Sequence, residues 1–402
     1  MEVRKKVCTF ADRMRIGYDA KRYYHNRTGL GNYSRTVVNA MRSQHEDVDA
    51  VLYDCKALER TFALGRRAKR EGCDLFHGLS NELPRDIVKA GVPSIVTMHD
   101  VAWRTFPDMY KPWDRLMYDW KYGWSCRNAT HVVCISESTK RDVMRFYNVP
   151  EERISVIYQP VQGVFYGPSK SPLKGDFPNT AEKDLPISAV ESSPFKGDFP
   201  NTAEKDLPIS AVESSPFKGD RRGSYILTVG SINSRKNLMG MVKALEMIPE
   251  DERLPLVVVG NGREYRQRVE EYIDSHHLRE WVRIESNIHE AERLKELYAG
   301  AVCMLYPSFY EGFGLPVVEA QLQGCPVITS NVSSLPEAAG PDALLVNPAQ
   351  TEEIAEALRL LLSSEEERKR RGEAGRRYCM EMFSPERLTE EMFQLYELII
   401  DN

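Results

Sequence analysis

The chain has 402 residues, enough for two or three domains with sizeable cores. Hydrophobic residues make up 42% and charged residues 28%, which is ordinary for a globular protein and excludes wholesale disorder. A formal net charge of −5 without a long basic block argues against a nucleic-acid partner. No apolar run approaches the roughly 18 residues that a membrane-spanning helix needs.

Residues 1–13 precede the first strand pattern and are predicted to be a dispensable extension. Their apolar stretch, Val7 to Ala11, is too short for a signal peptide. The eight cysteines are scattered, without the close pairs of a zinc site or a disulfide framework, so we expect buried thiols in a reducing compartment. These features predict a cytoplasmic protein, and they leave open a peripheral contact with the inner face of a membrane.

Residues 14–166 alternate strand-like and helix-like patterns, which is typical of a parallel α/β domain. A loop is predicted over Lys21–Gly31, followed by a helix over Tyr33–Met41. We therefore predict a Rossmann-like domain. Its six predicted strands are Arg15–Asp19, Ala50–Tyr53, Leu75–His77, Ser94–Met98, His131–Ile135 and Ile154–Ile157.

Residues 167–222 contain a tandem repeat. Ser171–Ser192 and Ser193–Ser214 are the same 22-residue unit except for Leu173 in place of Phe195. The unit has few apolar residues to bury, which argues against a stacked solenoid. A disordered linker is the favoured interpretation, and a docking motif presented in tandem is the alternative.

Residues 223–383 again alternate strand and helix patterns and predict a second Rossmann-like domain, with a long helix over Ser364–Phe383. Two similar α/β domains joined by a linker predict a central cleft, in which a ligand lies at the carboxyl ends of both sheets. The predicted strands of the second domain are Tyr225–Val229, Leu256–Val259, Val282–Ile284, Val302–Tyr306, Val327–Thr329 and Ala343–Val346.

The segment from Pro307 to Ala320 has the richest chemistry. Gly312 and Gly314 in the loop after a buried strand allow close approach to a ligand, and a helix follows. Its N-terminal amides suit a phosphate or a sugar hydroxyl. Glu311 in the loop and Glu319 in the helix are placed to face one cleft, where a carboxylate can bind the paired hydroxyls of a ribose or hexose. The alternative, a turn with a carboxylate near a helix end, explains Glu319 only.

A second cluster follows the strand Tyr225–Val229. Gly230 begins a loop in which Arg235 and Lys236 are adjacent, and this pair suits a diphosphate. An isolated pair of this kind is more often solvated surface. Its position at the carboxyl end of a strand favours the binding role.

A third cluster lies in the first domain. Gly29 and Gly31 belong to a Gly-x-Gly that opens the first helix, and His99 ends the strand Ser94–Met98. The glycine pattern alone is weak, because the complete dinucleotide fingerprint is absent. A single histidine is usually structural, but the carboxyl end of a strand is where sites form, so we predict a function for His99.

Two other segments, residues 47–49 and 113–124, have acidic or aromatic patterns. Asp47-Val48-Asp49 precedes a strand instead of following one, so we predict a solvated loop and no metal site. Trp113, Met117, Trp120 and Trp124 recur at helical spacing beside Lys111, Arg115 and Lys121. A buried amphipathic helix is the favoured interpretation of this spacing. An acceptor-binding or membrane-facing surface is the alternative.

Together these motifs resemble the retaining nucleotide-sugar glycosyltransferases of family 4 (group 1), which have the GT-B architecture. The resemblance includes Cys134–Lys140, Asn331–Glu337 and a closing helix, residues 384–402, that in such enzymes crosses back to the first domain. It implies that Glu319 binds the donor's ribose, that Arg235 and Lys236 bind its diphosphate, and that His99 contacts the transferred sugar. It also implies phosphate contacts from Gly29 and Gly31, and donor-sugar contacts from Glu311 and the amides of Gly312, Phe313, Gly314 and Leu315.

The implied activity is transfer of a hexose, with mannose preferred, from a nucleotide-sugar to a glycan or lipid-linked acceptor in bacterial surface polysaccharide synthesis. In retaining members of this family the departing phosphate takes the acceptor's proton, so no enzymatic base is expected. No cofactor or metal is expected either, because Asp47-Val48-Asp49 lies before a strand and not after one. The alternatives are an epimerase or phosphorylase of the same architecture, or a nucleotide-sugar-binding module without turnover.

Overall fold

The computed structural model describes residues 13–26, 29–167, 225–286, 288 and 290–401. The tandem repeat, and the predicted extension apart from residue 13, lie outside the described residues. Two parallel six-stranded sheets organise the described part. The first has the order β2-β1-β3-β4-β5-β6 and the second β12-β11-β10-β7-β8-β9, so helical crossovers connect the strands.

All twelve predicted strands are present, with ends shifted by a residue or two, and the predicted α/β class is confirmed. The first sheet contains β1 (Met14–Asp19), β2 (Val48–Tyr53), β3 (Leu75–Gly78), β4 (Ser94–Met98), β5 (His131–Cys134) and β6 (Ile154–Val156). The second contains β7 (Ile226–Val229), β8 (Leu256–Val259), β9 (Val282–Glu285), β10 (Cys303–Tyr306), β11 (Val327–Ser330) and β12 (Leu344–Val346).

Helices cover both faces of each sheet, and central strands such as β4 and β10 are buried along their whole length. The helices of the first domain are α1 (Lys21–His25), α2 (Gly29–Gln44), α3 (Ala57–Phe62), α4 (Leu64–Arg70), α5 (Ile87–Ala90), α6 (Ala102–Thr105), α7 (Pro112–Tyr118), α8 (Trp124–Asn128) and α9 (Glu137–Tyr147). Those after it are α10 (Leu238–Glu246), α11 (Glu264–Ser275), α12 (Ala291–Gly300), α13 (Leu315–Leu322), α14 (Leu335–Ala339), α15 (Thr351–Ser363), α16 (Glu365–Met382) and α17 (Pro385–Ile400).

The predicted loop over Lys21–Gly31 is wrong where α1 and the start of α2 occupy it. The cause is a tertiary contact. A Cβ atom on Gly31 would lie 1.8 Å from the carbonyl oxygen of Asn26, so only glycine lets α2 pack this closely against the end of α1. A glycine that is unfavourable by helix propensity is thus required by packing.

The predicted solvated loop at Asp47-Val48-Asp49 is also wrong in part, because β2 begins at Val48. Asp49 forms an ion pair with Arg15 on the neighbouring strand, with a distance of 2.7 Å between Oδ2 and Nε. Within the described ranges, no cluster of three His, Cys, Asp or Glu side chains forms a metal site. The seven cysteines described are free thiols, six of them buried and Cys55 half-buried.

The favoured buried interpretation of the Trp113–Trp124 helix is wrong. The segment is helical from α7 through a π turn at Asp119–Gly123 into α8. Trp113 is 79% exposed and Trp120 51% exposed. Tyrosines that pack against Trp103 build the inner face of the helix, so Trp113 and Trp120 are left outside, whereas Trp124 is half-buried against the core.

The closing helix α17 lies against the first sheet. The Tyr396 hydroxyl is 2.6 Å from Nδ1 of His77 on β3, and it accepts a hydrogen bond from the Tyr18 hydroxyl on β1 at 3.3 Å. The other His77 nitrogen, Nε2, is 2.8 Å from the Thr97 hydroxyl on β4. Burial lowers the pKa of His77 to about 3, so the ring is neutral at pH 7 and each nitrogen has one partner.

Tyr396→Phe is expected to lower the free energy of unfolding by about 1–3 kcal/mol, because it removes the partner of a buried His77 nitrogen. Chemical denaturation of the full chain measures the loss. Tyr24→Phe is the control, since that ring is 54% exposed. Equal stabilities of the two variants would contradict a role of this network in docking α17.

No helix in the described ranges is both long enough and apolar enough to cross a membrane. A short 3-10 turn, Gly163–Tyr166, follows the first sheet, and two side chains of the second domain hold its carbonyls. Gln323 donates to the Phe165 carbonyl at 2.6 Å and Lys295 donates to the Val164 carbonyl at 2.8 Å.

Candidate functional site

An ion triad lies at the carboxyl edge of the second sheet. The Glu311 carboxylate pairs with Lys236 through Oε1 at 2.6 Å and with Arg235 through Oε2 at 2.9 Å. The cations belong to a short 3-10 turn, Ser234–Lys236, after β7, and the carboxylate to the loop after β10. Parallel strands β7 and β10 are neighbours, which brings together residues that are distant in the sequence.

Burial and the mutual charges decide the protonation of the triad. Burial raises the pKa of Glu311, but the charges of Lys236 and Arg235 outweigh it and leave the pKa below its usual value. Burial lowers the pKa of Lys236, in part against the attraction of Glu311. Burial also disfavours charged Arg235, but Glu311 outweighs this and raises its pKa. The triad therefore contains two cations and one anion.

The loop around the triad adds residues that the sequence analysis missed. Lys236 donates to the Tyr306 hydroxyl, and its Nζ lies 4.6 Å from the centroid of that ring. Arg235 donates to the Tyr310 carbonyl, and its own carbonyl accepts from the Phe309 amide at 2.8 Å. Tyr306 is the last residue of β10. Its position at the carboxyl end of a strand is the signal by which the sequence could have identified it.

Glu319 lies on α13, eight residues after Glu311, and is half-buried. Its Oε2 accepts a hydrogen bond from the Tyr298 hydroxyl on α12 at 3.0 Å. Burial raises the pKa of Glu319 to about 7, and the Tyr298 bond opposes this only in part. Burial raises the pKa of Tyr306, and the charges of Glu311 and Glu319 both add to it. No local sequence signal pointed to Tyr298.

Glu319 should make stability depend on pH. Its pKa rises from 4.5 in the unfolded chain to about 7 in the folded one, so unfolding between these pH values releases a proton and stability falls as the pH rises. Relative to Glu319→Gln, we expect the free energy of unfolding to drop by about 3 kcal/mol from pH 4.5 to pH 7 and then to level off. Urea denaturation of both proteins across this range measures it, and parallel pH profiles would contradict it.

The start of α13 presents a helix N-terminus beside the triad. Gly314 precedes the helix with φ of +116°, and Leu315 and Pro316 form its first turn. The Phe313 ring is buried between Tyr158 and Phe383, at centroid distances of 5.6 and 5.2 Å, so only the backbone of Phe313 remains for a ligand. The positive helix end faces the same loop as the two cations.

His99 lies across the cleft at the carboxyl end of β4. Its Nε2 donates to the Leu79 carbonyl at 2.9 Å, and its backbone amide donates to Asn81 Oδ1 at 2.8 Å. Burial lowers the pKa of His99 to about 4, so the ring is neutral at pH 7. Because a carbonyl only accepts, Nε2 holds the proton and Nδ1 is left as an acceptor. The Tyr33 ring packs edge-on against His99 at 4.7 Å.

The two domains touch beside His99. A Cβ atom on Gly312 would lie 1.9 Å from the His99 carbonyl oxygen, so this approach requires glycine. The Ser136 hydroxyl donates to the Gly312 carbonyl at 2.7 Å. The Glu337 carboxylate accepts from the Glu137 and Ser138 amides at the start of α9, at 2.7 and 2.9 Å. The segments Cys134–Lys140 and Asn331–Glu337 thus meet across the cleft.

The remaining predicted glycines differ in their surroundings. Gly29 begins α2 and is exposed, with open space where a Cβ would lie. Gly31 is explained by its packing against Asn26, and no ligand is needed to account for it. Gly230 lies at the end of β7 next to the Lys236 side chain, and with Tyr306 they line a small open cleft. This cleft lies beside the predicted diphosphate site.

Comparisons with known proteins agree with this architecture. A family model described as Glycosyltransferase Family 4 matches residues 55–162, and one described as Glycosyl transferases group 1 matches residues 213–378. Anabaena HepE in complex with UDP and glucose superposes with a TM-score of 0.65 over 96% of this chain and 99% of that chain, at 14% identity. At 14% identity, the similarity to HepE shows a shared fold only.

Among curated proteins, O-antigen chain mannosyltransferase B of Escherichia coli is 28% identical over 286 residues, which are 70% of this chain and 63% of that protein. The MMP alpha-(1->4)-mannosyltransferase of Mycolicibacterium hassiacum is 42% identical over 112 residues, 27% of each chain. The match thus spans less than two thirds of the length of either relative.

Two Rossmann-like domains that face each other across a cleft, with cations and a helix N-terminus at its edge, define a GT-B protein. Its family follows from the two family models and the relatives. The chain belongs to the glycosyltransferases that combine a family 4 domain with a group 1 domain.

Proposed function

We propose that this protein is a retaining hexosyltransferase that moves a sugar, with mannose preferred, from a nucleotide-sugar to a glycan or lipid-linked acceptor in surface polysaccharide synthesis. The mannosyltransferase names of the two curated relatives support the sugar, and the O-antigen name of the first supports the polysaccharide. The UDP and glucose bound to HepE support a nucleotide-sugar donor in general.

The observation that carries the proposal is the triad of Arg235, Lys236 and Glu311. Two half-buried cations share one carboxylate beside a helix N-terminus, so the cluster keeps one net positive charge for an anion. In the proposed complex the donor's diphosphate becomes the partner of both cations. The released Glu311 carboxylate then accepts hydrogen bonds from hydroxyls of the donor sugar.

The chemistry follows from where charge develops. As the glycosidic bond breaks, negative charge grows on the leaving diphosphate and positive charge on the sugar ring. Arg235, Lys236 and the amides at the start of α13 stabilise the first charge without reorganising. Neutral His99 offers its Nδ1 to a hydroxyl of the transferred sugar. The departing phosphate oxygen takes the acceptor's proton on the same face, so we assign no nucleophile, and Glu319 binds the ribose hydroxyls.

The test is an incubation of the full chain with a panel of nucleoside-diphosphate sugars, including GDP-mannose and UDP-glucose, with and without a saccharide acceptor. We expect release of nucleoside diphosphate that depends on the acceptor, survives a chelator and gives a product of retained anomeric configuration by NMR. Isomerised donor without an acceptor would indicate an epimerase, and phosphate-dependent cleavage a phosphorylase. Donor binding without any conversion would leave a binding module, and an inverted product would overturn the retaining mechanism.

A further inference from the structure

Exposed apolar side chains gather on two helical segments of the first domain, which are α3 and α7 with the π turn that follows it. On the second segment they recur at i, i+3, i+4 and i+7, the spacing that puts side chains on one side of a helix. Trp113 and Leu58 are the most open of them, at 79% and 77% exposed. We call this set the apolar face, and its members are Leu58, Phe62, Trp113, Leu116, Met117 and Trp120.

Arg85 shows that the two helical segments lie side by side. Its backbone amide donates to the Thr61 carbonyl on α3 at 2.7 Å. Its guanidinium stacks on the Trp120 ring, with Cζ 3.7 Å from the ring centroid, and donates to the Trp120 carbonyl at 2.7 Å. Phe62 follows Thr61 directly in the chain. The exposed side chains of both segments therefore belong to one surface.

The apolar face is not an incomplete core. Tyr118 and Tyr122, on the inner side of the same helical segment, stack with ring centroids 5.3 Å apart, and both pack against buried Trp103. The core beneath the segment is therefore already filled. Exposed apolar surfaces that folding leaves open in this way mark a contact with a partner or a membrane.

Two kinds of charged side chain surround the apolar face. The first kind is held in ion pairs, namely Arg60 with Asp19 and Glu82, Arg66 with Asp86, Arg67 with Glu59 and Glu71, Arg104 with Asp119, and Lys121 with Glu82. The second kind is uncompensated, because Lys111, Arg115 and Arg85 form no ion pair with any acidic side chain that the structure describes. These three cations are available to an anionic partner.

The charge balance of this region is positive. Residues 56–127, which include both helical segments, contain 13 Lys and Arg against 9 Asp and Glu, whereas the whole chain has a net charge of −5. Asp108 and Asp114, near the start of the second segment, also form no ion pair with a described residue, but the three free cations outnumber them. The apolar face therefore lies in a positive surface that complements an anionic one.

A phospholipid bilayer fits both the apolar side chains and the charge. Its anionic headgroups attract unpaired cations, and indole rings prefer the boundary between headgroups and acyl chains. The same boundary accepts the apolar side of a helix that lies flat on the membrane. A second copy of the chain fits less well, because a symmetric dimer would bring the positive surface against itself.

We propose that the apolar face binds the surface of an anionic phospholipid bilayer. Trp113 and Trp120 lie at the boundary between headgroups and acyl chains, and Lys111, Arg115 and Arg85 lie against lipid phosphates. The two rings are seven residues apart, about 10 Å along the helical segment, so the segment lies along the membrane surface. This contact is independent of the proposed transferase function.

The test is sedimentation of the full chain with vesicles of phosphatidylcholine, with and without phosphatidylglycerol. We expect binding to the anionic vesicles that weakens as the salt concentration rises. Trp113→Ala combined with Leu116→Ala should lower the partition coefficient on the order of tenfold or more, because binding scales with the apolar area inserted. Lys111→Gln combined with Arg115→Gln should lower it roughly fivefold for each charge, on anionic vesicles only.

The matched control is Lys243→Gln combined with Met247→Ala. It removes one exposed cation and one exposed apolar side chain from the second domain, so the partition coefficient should equal that of the parent. Thermal unfolding of all variants checks that the fold persists.

A second measurement separates insertion from adsorption to the headgroups. Bromine atoms on the lipid acyl chains quench the fluorescence of tryptophans that reach them. Trp113→Phe combined with Trp120→Phe keeps two apolar rings, so this variant should still bind the vesicles but lose most of the quenching seen in the parent.

Three results would overturn the membrane contact. They are no binding to anionic vesicles, an unchanged partition coefficient in the Trp113→Ala and Leu116→Ala variant, or equal quenching in the parent and the phenylalanine variant. Self-association of the parent that the alanine variant abolishes, without vesicle binding, would assign the apolar face to a second copy of the chain. Failure of the transferase proposal is separate, because it would show as no acceptor-dependent release of nucleoside diphosphate.

Discussion

Lys236→Ala is expected to lower the transfer rate about 100-fold or more, because it removes a charged donor aimed at the leaving diphosphate. The Lys236 ammonium is held in place by Glu311 at 2.6 Å and by the Tyr306 hydroxyl. A group fixed in this way needs no reorganisation when charge develops. Steady-state kinetics with saturating donor measures the loss.

Lys243→Ala is the matched control. Lys243 lies seven residues further along, on α10, with an exposed side chain, so its loss should leave the rate within a factor of two or so. Thermal unfolding of both variants checks that the fold persists. A Lys236→Ala enzyme with the parent's turnover would remove this residue from the site and with it the electrostatic mechanism.

The strand pattern made the fold predictable from the sequence. In a buried parallel sheet each strand is a short apolar run bounded by turn residues, and runs such as Leu256–Val259 have no competing interpretation. The site loops were also predictable, because ligands bind at carboxyl ends of strands and Glu311 and Lys236 follow such ends directly. The sequence therefore predicted the position of each site residue after its own strand, but not the contacts between these residues.

Contacts between side chains that are far apart in the chain could not be predicted from the sequence. Glu311 pairs with two cations that precede it by about 75 residues, and nothing near either segment specifies that contact. Likewise, helical spacing in Trp113–Trp124 indicated a helix but not which side is buried. The inner side is decided by Trp103, which reaches it from α6. The loop prediction over Lys21–Gly31 failed for the same reason, because the contact of Gly31 with Asn26 was not visible in the sequence.

Glu311→Gln should separate the two roles of this residue, as counter-ion and as ligand. Without donor, the variant leaves half-buried Lys236 and Arg235 side by side without their carboxylate partner, which is expected to cost about 1–3 kcal/mol of unfolding free energy. Glu367→Gln is the control, since Glu367 also binds two arginines, at 3.0 and 2.8 Å, but in a solvent-accessible place. We expect only a small stability change in that control.

Nucleoside diphosphate should stabilise Glu311→Gln more than it stabilises the parent. In the parent the diphosphate has to displace Glu311 from both cations, whereas in Glu311→Gln it meets two cations that lack a partner. The rise in unfolding temperature on adding GDP or UDP is therefore expected to be larger in the variant than in the parent at equal ligand concentration. Transfer should nevertheless fall, because the carboxylate that binds the donor sugar is gone. If the nucleotide stabilised the parent more than the variant, the diphosphate would not be exchanging with Glu311, and Arg235 and Lys236 would be structural partners of that carboxylate alone.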